Sequence, residues 1–241
     1  MKNYDDELKN AKRLHNVNML SKDHVTCYVI RCMGGDVLID TGRKSARDEI
    51  ETWLSSYYDV KLIVLTHGHI DAAENAKYFS ELYHAPIAMS RYDYPLIHDN
   101  LCRTHYITSL RGKLTENKIH TAMDTPIDCF TPDYFIEDGM RLCDLDADGI
   151  YMDSRIISLD GHTRGSIGIL DGGDLYCGDA ISDLDRSFWS TTAESPKAAK
   201  YTMERIATIA PDRIFPCHSN EPLIKGEPKY EKFIKEFSLN K

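Results

Sequence analysis

No apolar run in this chain approaches the ~20 residues a helix needs to cross a bilayer, so no membrane span is expected. Basic runs are missing too. With 29 Lys and Arg against 38 Asp and Glu the formal net charge is -9, which argues against a nucleic-acid backbone or an anionic membrane surface as the main partner. The opening residues, Met1-Lys2-Asn3-Tyr4-Asp5-Asp6-Glu7, carry no apolar signal-type core, and the expectation is a cytoplasmic protein. There is no Gly-x-Ser-x-Gly elbow, P-loop or G-x-G-x-x-G turn, so a serine nucleophile and a nucleotide cofactor have no support. The seven cysteines (27, 32, 102, 129, 143, 177 and 217) form no C-x-x-C pair. They read as free thiols of a reducing compartment.

What is present is a chain of 241 residues, 42% hydrophobic, enough for a sizeable core. Nothing marks a second domain, and residues 1–241 read as one α/β unit. Val25–Ile30 and Asp36–Asp40 are β-branched strands joined through Gly34-Gly35, a hairpin pattern. Ala46–Tyr57 and Ala72–His84 carry helical spacing, the second with Ala76, Phe79, Leu82 and Tyr83 at three- and four-residue intervals. Ser195-Pro196 is a helix start followed by a helical run to Ala210, and Tyr230–Phe237 is a short amphipathic helix on the surface.

The chemistry gathers at strand ends. Val60–Leu65 is an apolar strand that feeds Thr66-His67-Gly68-His69-Ile70-Asp71, where His67, His69 and Asp71 alternate. In an extended or gently turning segment such residues leave the backbone on one side. Imidazole and carboxylate are the ligands a divalent metal such as zinc takes, and three protein ligands leave a position open for water. Upstream, Val37-Leu38-Ile39-Asp40-Thr41-Gly42 is a buried strand ending in an Asp and a glycine turn. Downstream, three more strands deliver His162, Asp179 and His218 in turn.

This ordered set closely resembles the metallo-β-lactamase superfamily, over roughly Val25 to His218. The matching features are an Asp-Thr-Gly-like turn, the H-x-H-x-D comb, His162 in a Gly-His-Thr-x-Gly-Ser setting, Asp179 after a Gly, and the late His218. The resemblance implies a four-layer αββα sandwich of two mixed sheets flanked by helices. It implies that His67, His69 and His162 hold one metal, that Asp71 and His218 contribute to a second, and that Asp179 lies between. One position departs: where the family usually has a His after the motif Asp, this chain has Ala72. Zn2+ is expected, one ion tight and a second weak or absent, with Fe2+ or Mn2+ as alternatives. Cys177 and Cys217 stand within two residues of predicted ligands, so a thiolate role is weighed against ordinary packing of a buried thiol.

A metal-activated water attacking a small ester, thioester or lactone follows, with Asp71 and Asp179 as catalytic carboxylates. Two alternatives stay open: a mono-iron oxygenase of the persulfide dioxygenase type, and a catalytically weak metal- or ligand-binding protein on the same fold. The stretch 91–134 has no sustained period and reads as helical and loop insertions forming a lid. Within it, Arg103 and Arg111 are expected to meet a substrate carboxylate, and Trp189 to line the pocket. Asp144–Gly149 begins like an EF-hand loop, but Arg155 stands where a bidentate Glu is required, so it reads as a turn.

Overall fold

The strands alternate on both faces, and that alternation sets the architecture. β1 (Val17–Lys22), β2 (Val25–Cys32) and β3 (Gly35–Ile39) form an antiparallel meander. β4 (Val60–Val64), β5 (Ile87–Met89) and β7 (Tyr134–Phe135) then add in parallel to give the order β1-β2-β3-β4-β5-β7. A second sheet is ordered β13-β12-β10-β9-β8, from β8 (Arg155–Ser158), β9 (Ile167–Asp171), β10 (Asp174–Gly178), β12 (Arg213–Pro216) and β13 (Leu223–Ile224). The computed structural model describes residues 17–22, 24–32, 34–101, 103–147, 150, 152–184, 187–219 and 221–238.

Tyr28, Ile30, Val37, Ile39, Leu62 and Val64 of the first sheet meet Ile156, Ile167, Ile169, Tyr176 and Phe215 of the second in one inter-sheet core. There Tyr176 and Phe215 stack with centroids 4.8 Å apart, and Tyr28 meets both edge-on. The intervening residues Val29, Leu38 and Ile63 face α1 (Arg47–Tyr57) and α3 (Ala76–Tyr83) through Ile50, Leu54 and Phe79. On the far side Leu175, Cys177 and Ile214 face α7 (Pro196–Ile209) and α8 (Pro228–Phe237). Sheets buried on both faces need apolar residues at every position, as these strands have. The layers are therefore α, β, β, α.

The expected hairpin, the helix over 46–57 and the helix before β12 are all present, the last capped by Ser195 Oγ, which accepts from Ala198 N at 3.2 Å. Two features differ from the sequence expectation. β1 adds a strand whose short pattern gave no signal. The helix expected over 72–84 starts earlier, as α2 (Ile70–Ala73), and breaks before α3, where the Asn75 backbone N donates to Thr41 Oγ1 (3.3 Å) and its Nδ2 to the carbonyls of Thr41 (3.0 Å) and Gly42 (3.1 Å). The expected amphipathic surface helix is present as α8, with Tyr230, Phe233 and Phe237 buried against the second sheet and Lys229, Glu231, Lys232, Lys235 and Glu236 exposed.

The excursion between β5 and β7 contains α4 (Tyr94–His98), β6 (Tyr106–Ile107), α5 (Leu110–Leu114) and α6 (Glu116–Met123). β6 pairs antiparallel with β11 (Thr192–Ala193), which ties the excursion to the second half of the chain. The stretch 144–149 lies partly outside the described residues, and its Asp144 Oδ1 takes Arg141 Nη2 at 2.7 Å.

Candidate metal centre

Ligand-type residues arrive where strands of the two sheets end. After β4 the backbone bends through Thr66–His69 and enters α2, so that Asp71 sits in a first helical turn where a carboxylate is favoured. Asp40 closes β3 with a left-handed φ of 56°, unusual for a residue with a Cβ. That turn aims its carboxylate at Thr66, whose backbone N and Oγ1 each donate at 2.8 Å. The Thr66 hydroxyl proton is thereby committed to Asp40, so its oxygen accepts from His67 Nδ1 (3.1 Å) and Nε2 is left with its lone pair. The contact is close: a Cβ at Gly178, whose φ is +51°, would lie 2.2 Å from Thr66 Oγ1.

Backbone carbonyls fix two further rings. His162 Nδ1 donates to Thr192 O (2.9 Å) on β11, and His218 Nδ1 donates to His24 O (2.6 Å). Each ring then offers Nε2. The rings of His67, His69 and His162 stand near-perpendicular, 81° to 90°, with centroids 4.8 to 5.1 Å apart. His69 Nδ1 comes within 2.9 Å of His162 Nε2. Beside this trio, His218 Nε2 lies 3.1 Å from Asp71 Oδ2 and 3.2 Å from Asp179 Oδ2, and Asp179 Oδ2 is 3.5 Å from His162 Nε2. The six residues expected at the site thus converge.

Among the described residues three buried atoms here have no hydrogen-bond partner: His67 Nε2 and Asp71 Oδ1, which lie 3.5 Å apart, and Asp179 Oδ1. A buried acceptor without a donor is costly. A cation between them removes that cost, and two sets of donors, His67–His69–His162 and His67–Asp71–Asp179, have their ligand atoms within 4.8 Å of one another. The donor set fits a divalent metal. The electrostatics agree. Burial pulls the His67 imidazole down, but the Asp71, Asp179 and Asp40 carboxylates outweigh it and take it up to about 9. His218 is likewise carried well above the ordinary range, against burial, by Asp179 and Asp71. Burial and the neighbouring rings hold His69 well below it, and burial lowers His162. Against burial, the facing imidazoles depress Asp71 well below the carboxylate range and Asp179 to about 2.

Of the two thiols near the ligands, Cys177 packs into the core under α7 and α8. Cys217 is buried, and its sulfur groups with Asp179 and His218 within 4.8 Å. Ala72 is fully buried and offers only a methyl group.

Of the three residues expected to meet substrate, Arg103 and Trp189 have protein partners of their own. Arg103 does not face the metal centre: it pairs with the buried Asp93 carboxylate and reaches Glu194 Oε1 at 2.9 Å. Trp189 packs against the core beneath α7 and α8. Arg111 sits half-buried on α5. Asp93 is the residue that sequence reasoning missed. Its Oδ2 accepts from Gly68 N (3.0 Å) and Thr163 Oγ1 (2.6 Å), and its Oδ1 from Gly165 N (2.9 Å) and Arg103 Nη2. One carboxylate therefore joins the His67–His69 bend, the His162 loop and the excursion. The only trace in the sequence is its place just after a strand, as for Asp40 and Asp179.

The model of the metallo-beta-lactamase superfamily matches residues 20–142, just over half of the chain, and the chain belongs to that superfamily. Its members are generally metal-dependent hydrolases. No curated protein matches significantly. Among solved structures, a metallo-beta-lactamase family protein from Thermus thermophilus is 18% identical with a TM-score of 0.65, covering 92% of this chain and 79% of that one. An archaeal superfamily protein from Sulfolobus tokodaii is 18% identical at 0.67, covering 92% and 85%. A third structure, in a di-iron-bound form, is 21% identical at 0.60, covering 86% and 93%. At these identities the likeness shows the fold.

Proposed function

We propose that this protein is a metal-dependent hydrolase acting on a small ester, thioester or lactone. The observation that carries the reading is that three buried atoms of the cluster, His67 Nε2, Asp71 Oδ1 and Asp179 Oδ1, have no hydrogen-bond partner among the described residues, with two sets of ligand atoms each lying within 4.8 Å of one another. His67, His69 and His162 would hold the tighter ion; Asp71, Asp179 and His218 would hold a second. When bound, a divalent ion lowers the pKa of water from 15.7 to about 7 and polarises an oxygen under attack.

The residues of the chain do the rest. Asp71 and Asp179 each keep one oxygen free of donors, so either accepts a proton from the water and passes it to the leaving group. The carbonyls of Thr192 and His24 hold His162 and His218 against reorientation during that transfer. With Ala72 in place of an imidazole, the second set is two carboxylates and one ring. That harder set accepts manganese or iron(II) as well as zinc, and it binds more weakly than the first. Zinc is the ion we assign to the trio of imidazoles, and the cytoplasm the compartment.

The test is turnover of thioester, lactone, ester and phosphodiester substrates by protein loaded with zinc, manganese or iron(II). Hydrolysis of a carbonyl substrate that is lost in His162→Ala supports the reading. Activity confined to iron and dependent on oxygen would instead establish the oxygenase chemistry. Titration of wild type and Ala72→His with zinc and manganese tests the second site. Two equal equivalents in the wild type, unchanged by Ala72→His, would mean that another ligand has taken the vacant place.

A further inference from the structure

A cleft opens beside His69. Gly68, His69 and Ile70 line it on one side, and Leu96, Ala122 and Thr125 of the excursion line it on the other. Ile70, Ala122 and Thr125 also line a neighbouring recess of about 530 Å³, so the two are one cleft along α6. Its far end holds Arg43 and Lys44, from the turn after β3, and Lys118 from α6. Asp124 lies in the part beside His69. One carboxylate, Glu74, accompanies the three cations, and its Oε2 accepts from the backbone N of Lys44 at 2.8 Å. None of the three cationic side chains makes an ion pair among the described residues. In a chain of net charge -9, three unpaired cations around one recess are a local reversal of sign.

We propose that this recess binds an anionic group of the substrate, a carboxylate or a phosphate, with Arg43, Lys44 and Lys118 setting specificity. The inference rests on the hydrolase reading, because it takes the scissile bond to lie at His69. The physical case has three parts. Like charges gathered around a recess repel one another, and an anion between them relieves that repulsion. Lysine ammonium groups on flexible stems suit an anion of either kind, and Arg43 adds a planar fork. The stretch between the ends is apolar at Ile70 and Ala122, which favours a substrate with a short apolar middle. The substrate class is therefore an ester or thioester carrying a negative charge on a short arm.

The experiment compares matched esters, one neutral, one with a carboxylate and one with a phosphate at the end of the same arm, in metal-loaded wild type, Lys44→Ala/Lys118→Ala and Lys44→Arg. The ratio of kcat/KM for charged over neutral ester should exceed one in the wild type and fall about tenfold in the double variant, mainly through KM. Lys44→Arg should retain it. The two charged arms tell carboxylate from phosphate. An unchanged ratio in the double variant overturns the proposal. Should no ester be hydrolysed, the hydrolase reading fails, and the recess is judged by calorimetric titration with succinate and with inorganic phosphate. Weaker binding of either anion by the double variant then upholds the anion site. Equal binding by both proteins refutes it.

Discussion

Two buried polar clusters lie next to each other in this fold, and they are satisfied in opposite ways. Around Asp93 the two carboxylate oxygens take four donors drawn from three separate segments. Around His67, Asp71 and Asp179 three buried atoms take none. Both clusters are rich in charge and both are held by strand ends. The difference teaches that burial and charge do not by themselves mark a reactive site. A cluster whose acceptors are filled holds the chain together, whereas one that leaves them open is waiting for something the chain does not supply.

The comparison can be broken first at Asp93. Asp93→Ala removes the buried acceptor shared by Arg103, Gly68, Thr163 and Gly165, and should lower stability by about 3–5 kcal/mol in denaturant unfolding of metal-free protein. Asp179→Ala in the same assay should cost less, since Oδ1 has no donor among the described residues and Oδ2 faces only the His218 and His162 rings, at 3.2 and 3.5 Å. Equal losses would erase the distinction. Metal sharpens it next. At a zinc concentration one hundred times its Kd, the wild type should gain about 2.7 kcal/mol of stability, and His162→Ala should gain much less.

A smaller effect is expected behind the ligands. Gly178→Ala places a methyl against Thr66 Oγ1 and forces a left-handed φ on a residue with a Cβ, disturbing the Asp40–Thr66–His67 relay. Metal affinity should fall about tenfold with the fold retained, read by titration against a chromogenic chelator. Affinity should also fall as pH drops below about 9. His67 is carried up to about 9 by its carboxylate neighbours in the metal-free protein, so below that pH binding must displace its proton. Least of all, Arg111→Ala should shift stability by no more than about 0.5 kcal/mol, because its guanidinium makes no hydrogen bond or ion pair among the described residues.

The convergence of these six His and Asp residues was legible in the sequence because each of them follows a strand within a short motif. His67, His69 and Asp71 share one bend, and His162, Asp179 and His218 each follow an apolar run. The layers were legible for a related reason: strands buried on both faces read as continuous apolar runs. Asp93 was not, since its four partners are spread from Gly68 to Gly165 and only the folded chain brings them together. Arg103 was misjudged for the same reason. A cationic side chain in an aperiodic stretch looks available for a ligand until a buried carboxylate elsewhere claims it. Arg43 and Lys44 directly follow the Asp40-Thr41-Gly42 turn, but their relation to Lys118 arises only when α6 folds across the cleft.

Metal content decides the central claim. Wild-type protein and His162→Ala, purified without chelator and analysed for zinc, iron and manganese, should differ by one tightly held equivalent, with His67→Ala and His69→Ala behaving like His162→Ala. Full metal content in His162→Ala, in a protein whose circular dichroism matches the wild type, would contradict the assignment of these three imidazoles to one ion.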